Sequence, residues 1–133
     1  MIAVFVTGNT SKKDYIKIGE DEVPMVKLII GAERDISGVS TSTESGITKK
    51  VIKYNVTRYQ NEEMQKYAQA LIDDYGYYYV YDDNDFSGPT GVDLQLVKKS
   101  VETDYILYVR IDYDMSGYTI TLTRGRGTLT IID

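Results

Sequence analysis

Two short acidic segments have the residue types and the spacing that open a calcium-binding loop. In residues 83–88 (DNDFSG) and 112–117 (DYDMSG), oxygen-bearing side chains stand at the first, third and fifth positions and glycine at the sixth. The twelfth position, where such loops place a bidentate glutamate, is Leu94 after the first segment and Thr123 after the second. We therefore expect weak calcium binding at most. The candidate metal ligands are Asp83, Asp85, Ser87, Asp112 and Asp114.

Ordinary turn chemistry explains the same residues. Aspartate at the first position of a turn bonds its own backbone, and glycine at the fourth accepts the conformation that closes a hairpin. This pattern recurs at residues 35–38, 85–88 and 114–117. In an up-and-down meander the second and third of these turns lie two strands apart at one end of the sheet, about 10 Å from each other. The acids would then form a solvated rim.

This acidic rim and the outward-facing tyrosines near it form a candidate surface for a partner, since tyrosine is enriched at protein interfaces. The candidate partner-binding residues are Asp82, Asp83, Asp85, Tyr78 and Tyr108. Five other tyrosines fall on predicted inward faces and are expected in the core: Tyr54, Tyr67, Tyr75, Tyr105 and Tyr118.

The composition excludes several kinds of catalytic site. The chain has no cysteine and no histidine, so thiolate chemistry, disulfides, cysteine-bound metals and a histidine base are excluded. The sequence shows no recognisable catalytic motif, and we predict a protein that is not an enzyme and that has no cofactor beyond weakly bound calcium. A hydrolase that uses two carboxylates is an alternative, which requires a pocket between two acids with one of them in apolar surroundings.

The charge balance restricts the partners. A net charge of −5 argues against duplex nucleic acid and anionic membranes, because both bind through concentrated lysine and arginine. No apolar run approaches the ~20 residues of a transmembrane helix, and the N-terminal segment lacks the basic region of a signal peptide. These features predict a cytoplasmic protein whose partner is a protein, either a second copy of the chain or a basic partner.

Residues 61–75 form the one segment with clear helical periodicity. Asn61 has the side chain of an N-cap, and Gly76 is suited to end the helix in the left-handed conformation. The apolar residues recur at the spacing of a single buried stripe. They are Met64, Tyr67, Ala68, Leu71, Ile72 and Tyr75.

The charges at the end of this helix predict an ion pair. Asp73 and Asp74 stand at the negative end of the helix dipole, where a carboxylate is unfavourable without a cationic partner. A turn predicted at residues 124–127 (RGRG) would lie at the same end of the sheet. We therefore predict that one of the two aspartates pairs with Arg124 or Arg126.

The segments on both sides of the helix are predicted to be strands. They are residues 2–7, 15–18, 25–32 and 50–59 before the helix, and 77–82, 92–101, 105–113, 118–124 and 128–132 after it. A sheet with one apolar face must be antiparallel and must have that face covered. We therefore predict an α+β fold, in which a mostly antiparallel sheet of a C-terminal β-meander and N-terminal strands packs against one central helix at about 61–75.

The sequence further predicts that residues 1–133 form a single compact domain. Residues 37–48 are rich in serine, threonine and glycine, which favours a mobile loop or a hairpin tip there. The leading functional hypothesis is a non-enzymatic protein-interaction or assembly protein. It would be a phage or mobile-element structural subunit that uses this arm and an exposed strand edge, or an inhibitor of a basic host protein. The alternatives are a weakly calcium-binding, β-rich ligand-binding domain and the carboxylate-based hydrolase.

Overall fold

A computed structural model describes residues 14–80 and 92–130 of the chain. In chain order its elements are β1 (Tyr15–Ile18), β2 (Asp21–Pro24), α1 (Val26–Ile30), β3 (Ile36–Glu44), β4 (Ile47–Asn55), α2 (Gln60–Tyr75), β5 (Tyr78–Tyr79), β6 (Val92–Lys99), β7 (Tyr105–Asp114) and β8 (Gly117–Arg126). Neither helix in these ranges has the length and apolar character needed to cross a membrane.

Six of the strands form one antiparallel sheet in the order β3-β4-β8-β7-β6-β5, and β1 and β2 form a separate two-stranded sheet. Strands β5 to β8 make the predicted meander, and β8 then lies beside β4 at the centre of the sheet. With one long central helix beside it, this arrangement confirms the predicted α+β class.

The core lies between α2 and one face of the six-stranded sheet. Tyr118, Ile120 and Leu122 alternate along β8 and are buried, and the strand register places Ile120 between Ile52 and Ile111. Burying a side chain of this size stabilises the fold by about 1.5–3 kcal/mol. The helix contributes the predicted stripe, with Met64, Tyr67, Ala68 and Leu71 buried and Ile72 and Tyr75 half-buried.

The two ends of α2 are fixed at opposite ends of the sheet. The Tyr113 hydroxyl, beside the β7–β8 turn, donates to Asn61 Oδ1 at the start of the helix. At the other end of the sheet, Lys98 Nζ donates to the carbonyl oxygen of Tyr75 at 2.9 Å. The helix ends at Gly76, whose φ of 78° is the left-handed conformation predicted for it.

The predicted N-cap is wrong by two residues, although the helix begins only one residue before the predicted segment. Tyr59 is the N-cap and makes no side-chain capping bond. Asn61 lies inside the first turn, where its oxygen accepts hydrogen bonds from the hydroxyl of Tyr113 and, at 3.4 Å, from Gln65 Nε2. The tertiary contact with the sheet thus replaces the local cap.

The strand predicted at residues 25–32 is also wrong, because α1 occupies this position. Val26, Ile29 and Ile30 have the i, i+3, i+4 spacing of a helix face, and they are buried or half-buried. Leu28, which a strand would place beside Val26, is exposed. Gly31, with φ at 75°, ends the helix after five residues. A segment this short satisfies both periodicities, so the pattern alone does not decide between them.

The strand predicted at residues 50–59 extends too far, and the separate strand predicted at 128–132 is not formed over its described residues. Val56 is 55% exposed and lies beyond β4, because the neighbouring strand β8 begins at Gly117, opposite Asn55. Residues 128–130 are not in a strand, since the partner strand β7 begins at Tyr105, opposite Arg126. The predicted strand at residues 2–7 and the last residues of the one at 128–132 lie outside the described ranges.

Residues 37–48 belong to a regular hairpin rather than to an irregular loop. β3 pairs with β4 from Gly38 to Glu44 without interruption, after a register shift between Ile36 and Gly38. Ser45 and Gly46 connect the strands with φ values of 53° and 80°, and two positive φ angles define a two-residue type I′ turn.

The tyrosine predictions are mostly correct. Tyr54, Tyr67 and Tyr118 are buried, and the rings of Tyr54 and Tyr118 stack with centroids 4.7 Å apart. Tyr75 and Tyr105 are only half-buried. The buried tyrosines that the sequence pattern did not identify are Tyr77 and Tyr113.

Candidate functional site: the free edge of the sheet

Most of the predicted acidic rim lies outside the described residues. Asp82, Asp83, Asp85 and Ser87 fall in residues 81–91. Asp114 is the last residue of β7, and its side chain is not described. The predicted gathering of these acids therefore stays a prediction.

Asp112 is the candidate metal ligand whose side chain is described. It is half-buried on β7, and its Oδ2 lies 3.4 Å from Arg110 Nε. Within residues 14–80 and 92–130, no three carboxylates are grouped closely enough to hold a metal ion. The described part of the chain thus gives no geometric support to a calcium site.

The two tyrosines predicted to bind a partner lie on either side of the same residue of β6. Tyr78 of β5 is exposed, and Tyr108 of β7 is half-buried with its hydroxyl 3.1 Å from Gln95 Oε1. Val97 of β6 pairs with both residues, so all three point to the same face of the sheet. This is the face opposite to α2.

A buried charged cluster was missed by the sequence prediction. Arg124 of β8 extends towards β2, where its Nε lies 3.0 Å from Asp21 Oδ2, and it also pairs with Glu102. The guanidinium group stacks 4.4 Å from the centroid of the Tyr105 ring. Asp21 accepts a further bond from the backbone N–H of Val101 at 2.9 Å.

This cluster corrects the predicted ion pair at the end of α2. Among the described residues, no ion pair joins Asp73 or Asp74 to Arg124 or Arg126, and Asp73 instead accepts a bond from Gln69 Nε2 at 3.0 Å. The arginines are also not in a turn, because β8 continues to Arg126. The alternation that buries Ile120 and Leu122 also directs Arg124 inward. Because a buried charge requires a partner of opposite sign, this alternation is the sequence signal that could have predicted an acidic partner for Arg124.

A second charged cluster ties the helix to the chain before β3. Glu63 of α2 is buried, and its Oε1 accepts a hydrogen bond from Arg34 Nε at 3.0 Å and from Thr57 Oγ1 at 3.3 Å. The hydrogen bonds from Arg34 hold the pKa of Glu63 below its ordinary value, although burial alone would raise it. Burial raises the pKa of the neighbouring Tyr118 hydroxyl. A carboxylate held ionised in this way is poorly suited to donate a proton.

An open cavity of about 360 Å³ lies between the β6–β7 turn and the chain that follows β8. Its lining includes Lys99, Glu102, Asp104 and Tyr105. The charges around it are mixed in sign, and its mouth is wide, so the cavity lacks the enclosed apolar walls and few convergent polar groups of a typical ligand site.

The free edge of the six-stranded sheet is formed by β3. It is nine residues long, and eight of these residues are exposed. On the side away from β4, no strand of the described chain pairs with it. The opposite edge of the sheet is β5, which has two residues.

The backbone groups of β3 that point away from β4 can be identified from the turn. Glu44 and Ile47 flank the two-residue turn and exchange hydrogen bonds across it. Opposed residues in an antiparallel pair alternate between bonded and non-bonded pairs. The N–H and C=O groups of Val39, Thr41 and Thr43 therefore point away from β4, towards the free edge.

Residues 38–44 of this edge lack the features that usually prevent a sheet edge from pairing. Such edges carry proline, lysine, inward-pointing charges or a bulge, or are very short. β3 has neither proline nor lysine, its one charged residue is Glu44 at the end, and its register shift lies before Gly38. Residues 38–44 thus form a regular, nearly neutral strand with an open side.

Comparison with known proteins gives no family for this chain. No family model, curated protein or solved structure matches it. The function is therefore inferred from the geometry of the site itself.

Proposed function

We propose that this protein is a non-enzymatic interaction or assembly protein, and that its β3 edge receives an extended segment of another protein chain as an additional strand. The observation that carries this proposal is the regular run of residues 38–44, which is mostly exposed and on one side pairs with no strand of the described residues. Strand addition at an open edge gains affinity from main-chain hydrogen bonds and specificity from alternate side chains.

The side chains around the edge support a partner strand. Ile36 and Val39 of β3 are 43% and 58% exposed, and they pair with Tyr54 and Ile52 of the core face. An added strand would place its inward side chains beside these two apolar residues. The apolar face of the sheet would then continue for one more strand.

The alternatives have less support from the described residues. The buried carboxylates, Asp21 and Glu63, are each held by an arginine, which does not favour the hydrolase. The acids of the calcium hypothesis and of the hypothesis of a basic partner lie mostly in residues 81–91, beyond the described ranges.

A selection of random peptides displayed on phage tests the proposal. Peptides recovered on the wild-type protein are then measured against Thr41→Pro and Thr41→Ala by calorimetry. Thr41→Pro removes an outward N–H, which an edge position tolerates, whereas Thr41→Ala removes the side chain and keeps the N–H.

We expect the peptides to bind Thr41→Pro at least tenfold more weakly than Thr41→Ala, and to slow hydrogen exchange at the amides of Val39, Thr41 and Thr43. Circular dichroism establishes that both variants are folded. Equal binding to the two variants would overturn the proposal, as would a selection that recovers no peptide on a protein that is monomeric in solution.

A further inference from the structure

We infer that the strand received by β3 is β3 of a second copy of this chain. The two strands pair antiparallel about a two-fold axis that passes between the two copies of Ser40. This inference rests on the proposed function, because it names the partner of the same edge. It predicts a symmetric dimer with one continuous sheet of twelve strands, twice the six of a single chain, and with both copies of α2 on the same side.

The β3 sequence is compatible with itself in this register. Val39 of one copy lies opposite the partner's Thr41, and both belong to the set whose backbone groups point towards the free edge. They therefore form hydrogen-bonded pairs, while Ser40 lies opposite the partner's Ser40 in a non-bonded pair. Threonine and serine pairs across strands contribute roughly 0.2–1 kcal/mol each.

The charges on the hairpin do not oppose this pairing. Glu44 is the one charged residue of β3, and in an antiparallel pair the two copies of it stand at opposite ends. The lysines of the hairpin, Lys49, Lys50 and Lys53, all lie on β4. The two β4 strands of the dimer are three strand spacings apart, about 14 Å, which exceeds the Debye length of about 8 Å at physiological salt.

The lengths of the two sheet edges favour the symmetric dimer over a filament. A head-to-tail assembly would pair β3 with the opposite edge, which is β5 and has two residues in the described chain. Pairing of β3 with itself about Ser40 places the five regular residues 38–42 of each copy opposite one another. An isologous contact of this kind closes after two copies. Because a single strand pair buries a small area, we expect a dissociation constant in the micromolar range or weaker, on the order of 10 µM.

Sedimentation velocity on the full chain tests the stoichiometry. The wild-type protein and Gln69→Lys, a charge-matched control on the exposed face of α2, are expected to reach the mass of a dimer as concentration rises. Thr41→Pro and Thr41→Lys are expected to stay monomeric over the same range, the first through the lost N–H and the second through an inward-pointing charge on the edge. A wild-type protein that is monomeric at millimolar concentration overturns the inference.

Single cysteines test the register, since the natural chain has none. Residues in a non-bonded pair have Cα atoms about 4.5 Å apart, which lies within the range that a disulfide spans. Ser40→Cys is therefore expected to form an oxidised dimer at least tenfold faster than Ser42→Cys, because the two copies of residue 42 are four residues out of register, about 13 Å apart. Equal rates for the two variants overturn the two-fold pairing through Ser40.

The outcomes separate this inference from the proposed function. If the wild-type protein stays monomeric while selected peptides bind the edge and lose affinity for Thr41→Pro, the second copy is the wrong partner and the edge still receives a strand. If the edge binds neither a second copy nor any peptide, both proposals are overturned.

Discussion

Arg124 of β8 and Asp21 of β2 form a buried ion pair although 103 residues separate them in the chain, with Nε and Oδ2 at 3.0 Å. This pair fixes the two-stranded sheet against the end of the six-stranded one. Gly19, in the turn between β1 and β2, makes the approach feasible, because a Cβ at that position would lie 2.6 Å from the guanidinium carbon.

Replacing Asp21 by asparagine is expected to lower the free energy of unfolding by about 3 kcal/mol, because it leaves a buried arginine with one of its two carboxylate partners removed. The matched control is Glu33→Gln, which breaks the ion pair with Lys27 at 3.0 Å on a side chain that is 81% exposed. That substitution is expected to cost less than about 1 kcal/mol. Urea denaturation measures both, and equal losses would contradict a structural role for the buried pair.

The stability of the fold is expected to depend on pH through Glu63. Hydrogen bonds from Arg34 are the main reason that its pKa in the folded protein lies below the ordinary value. The stabilisation by the ionised carboxylate is therefore fully present above the pKa of the unfolded chain, and it is lost as the pH falls through the lower pKa of the folded protein.

Urea denaturation from about pH 7 to about pH 3 tests this dependence. Glu63→Gln is expected to be less stable than the wild-type protein at neutral pH, and the difference is expected to shrink towards the acidic end. Parallel curves for the two proteins would show that Glu63 is not the titrating group.

Removal of two buried tyrosine hydroxyls is expected to affect the free energy of unfolding differently. The hydroxyl of Tyr67 donates to the carbonyl oxygen of Pro24 at 2.6 Å, so Tyr67→Phe leaves a buried acceptor unpaired and is expected to cost about 1–3 kcal/mol. The hydroxyl of Tyr77 is buried and has no hydrogen-bond partner among the described residues. Tyr77→Phe is therefore expected to be neutral or stabilising: the free energy of unfolding should fall by no more than about 0.5 kcal/mol, or should rise.

Thermal and urea denaturation of the two phenylalanine variants provide the measurement. Each variant serves as the control for the other, since both remove one oxygen atom from a buried ring. A larger loss for Tyr77→Phe than for Tyr67→Phe would contradict the assignment of the paired and unpaired hydroxyls.

Gly117 is expected to be intolerant of any side chain. Its φ is 136°, and a Cβ there would lie 2.3 Å from the carbonyl oxygen of Tyr54. Gly31 also has a positive φ, of 75°, but open space around the position of a Cβ, so Gly31→Ala is expected to cost only the backbone term of about 1–2 kcal/mol.

Gly117→Ala adds a clash with the backbone of β4, which cannot move without breaking the β4–β8 ladder. Its loss in the free energy of unfolding is therefore expected to exceed that of Gly31→Ala clearly, by about 2 kcal/mol or more. Similar losses for the two alanine variants in urea denaturation would show that the β4–β8 contact is looser than the structure indicates.

Local periodicity was sufficient where a segment was long and its pattern unambiguous. The stripe from Met64 to Tyr75 predicts the helix within one residue of its observed bounds, and the alternation in residues 118–124 predicts β8 and the direction of its side chains. It failed for α1, where five residues satisfy the spacing of both a helix and a strand. It left the serine- and threonine-rich β3 undecided between a mobile loop and a hairpin tip, because β3 carries little apolar alternation to mark it as a strand.

The sequence by itself determined the α+β class, the apolar face of the central helix and the absence of cysteine and histidine chemistry, because composition and short-range periodicity are properties of the chain alone. The tertiary structure decided which acid meets Arg124 and which strand is left at the edge. Both depend on contacts between residues far apart in the chain. Among the described strands, β3 is left at the edge because β8 pairs with β4 and not with the open side of β3. No pattern within residues 36–44 predicts this arrangement.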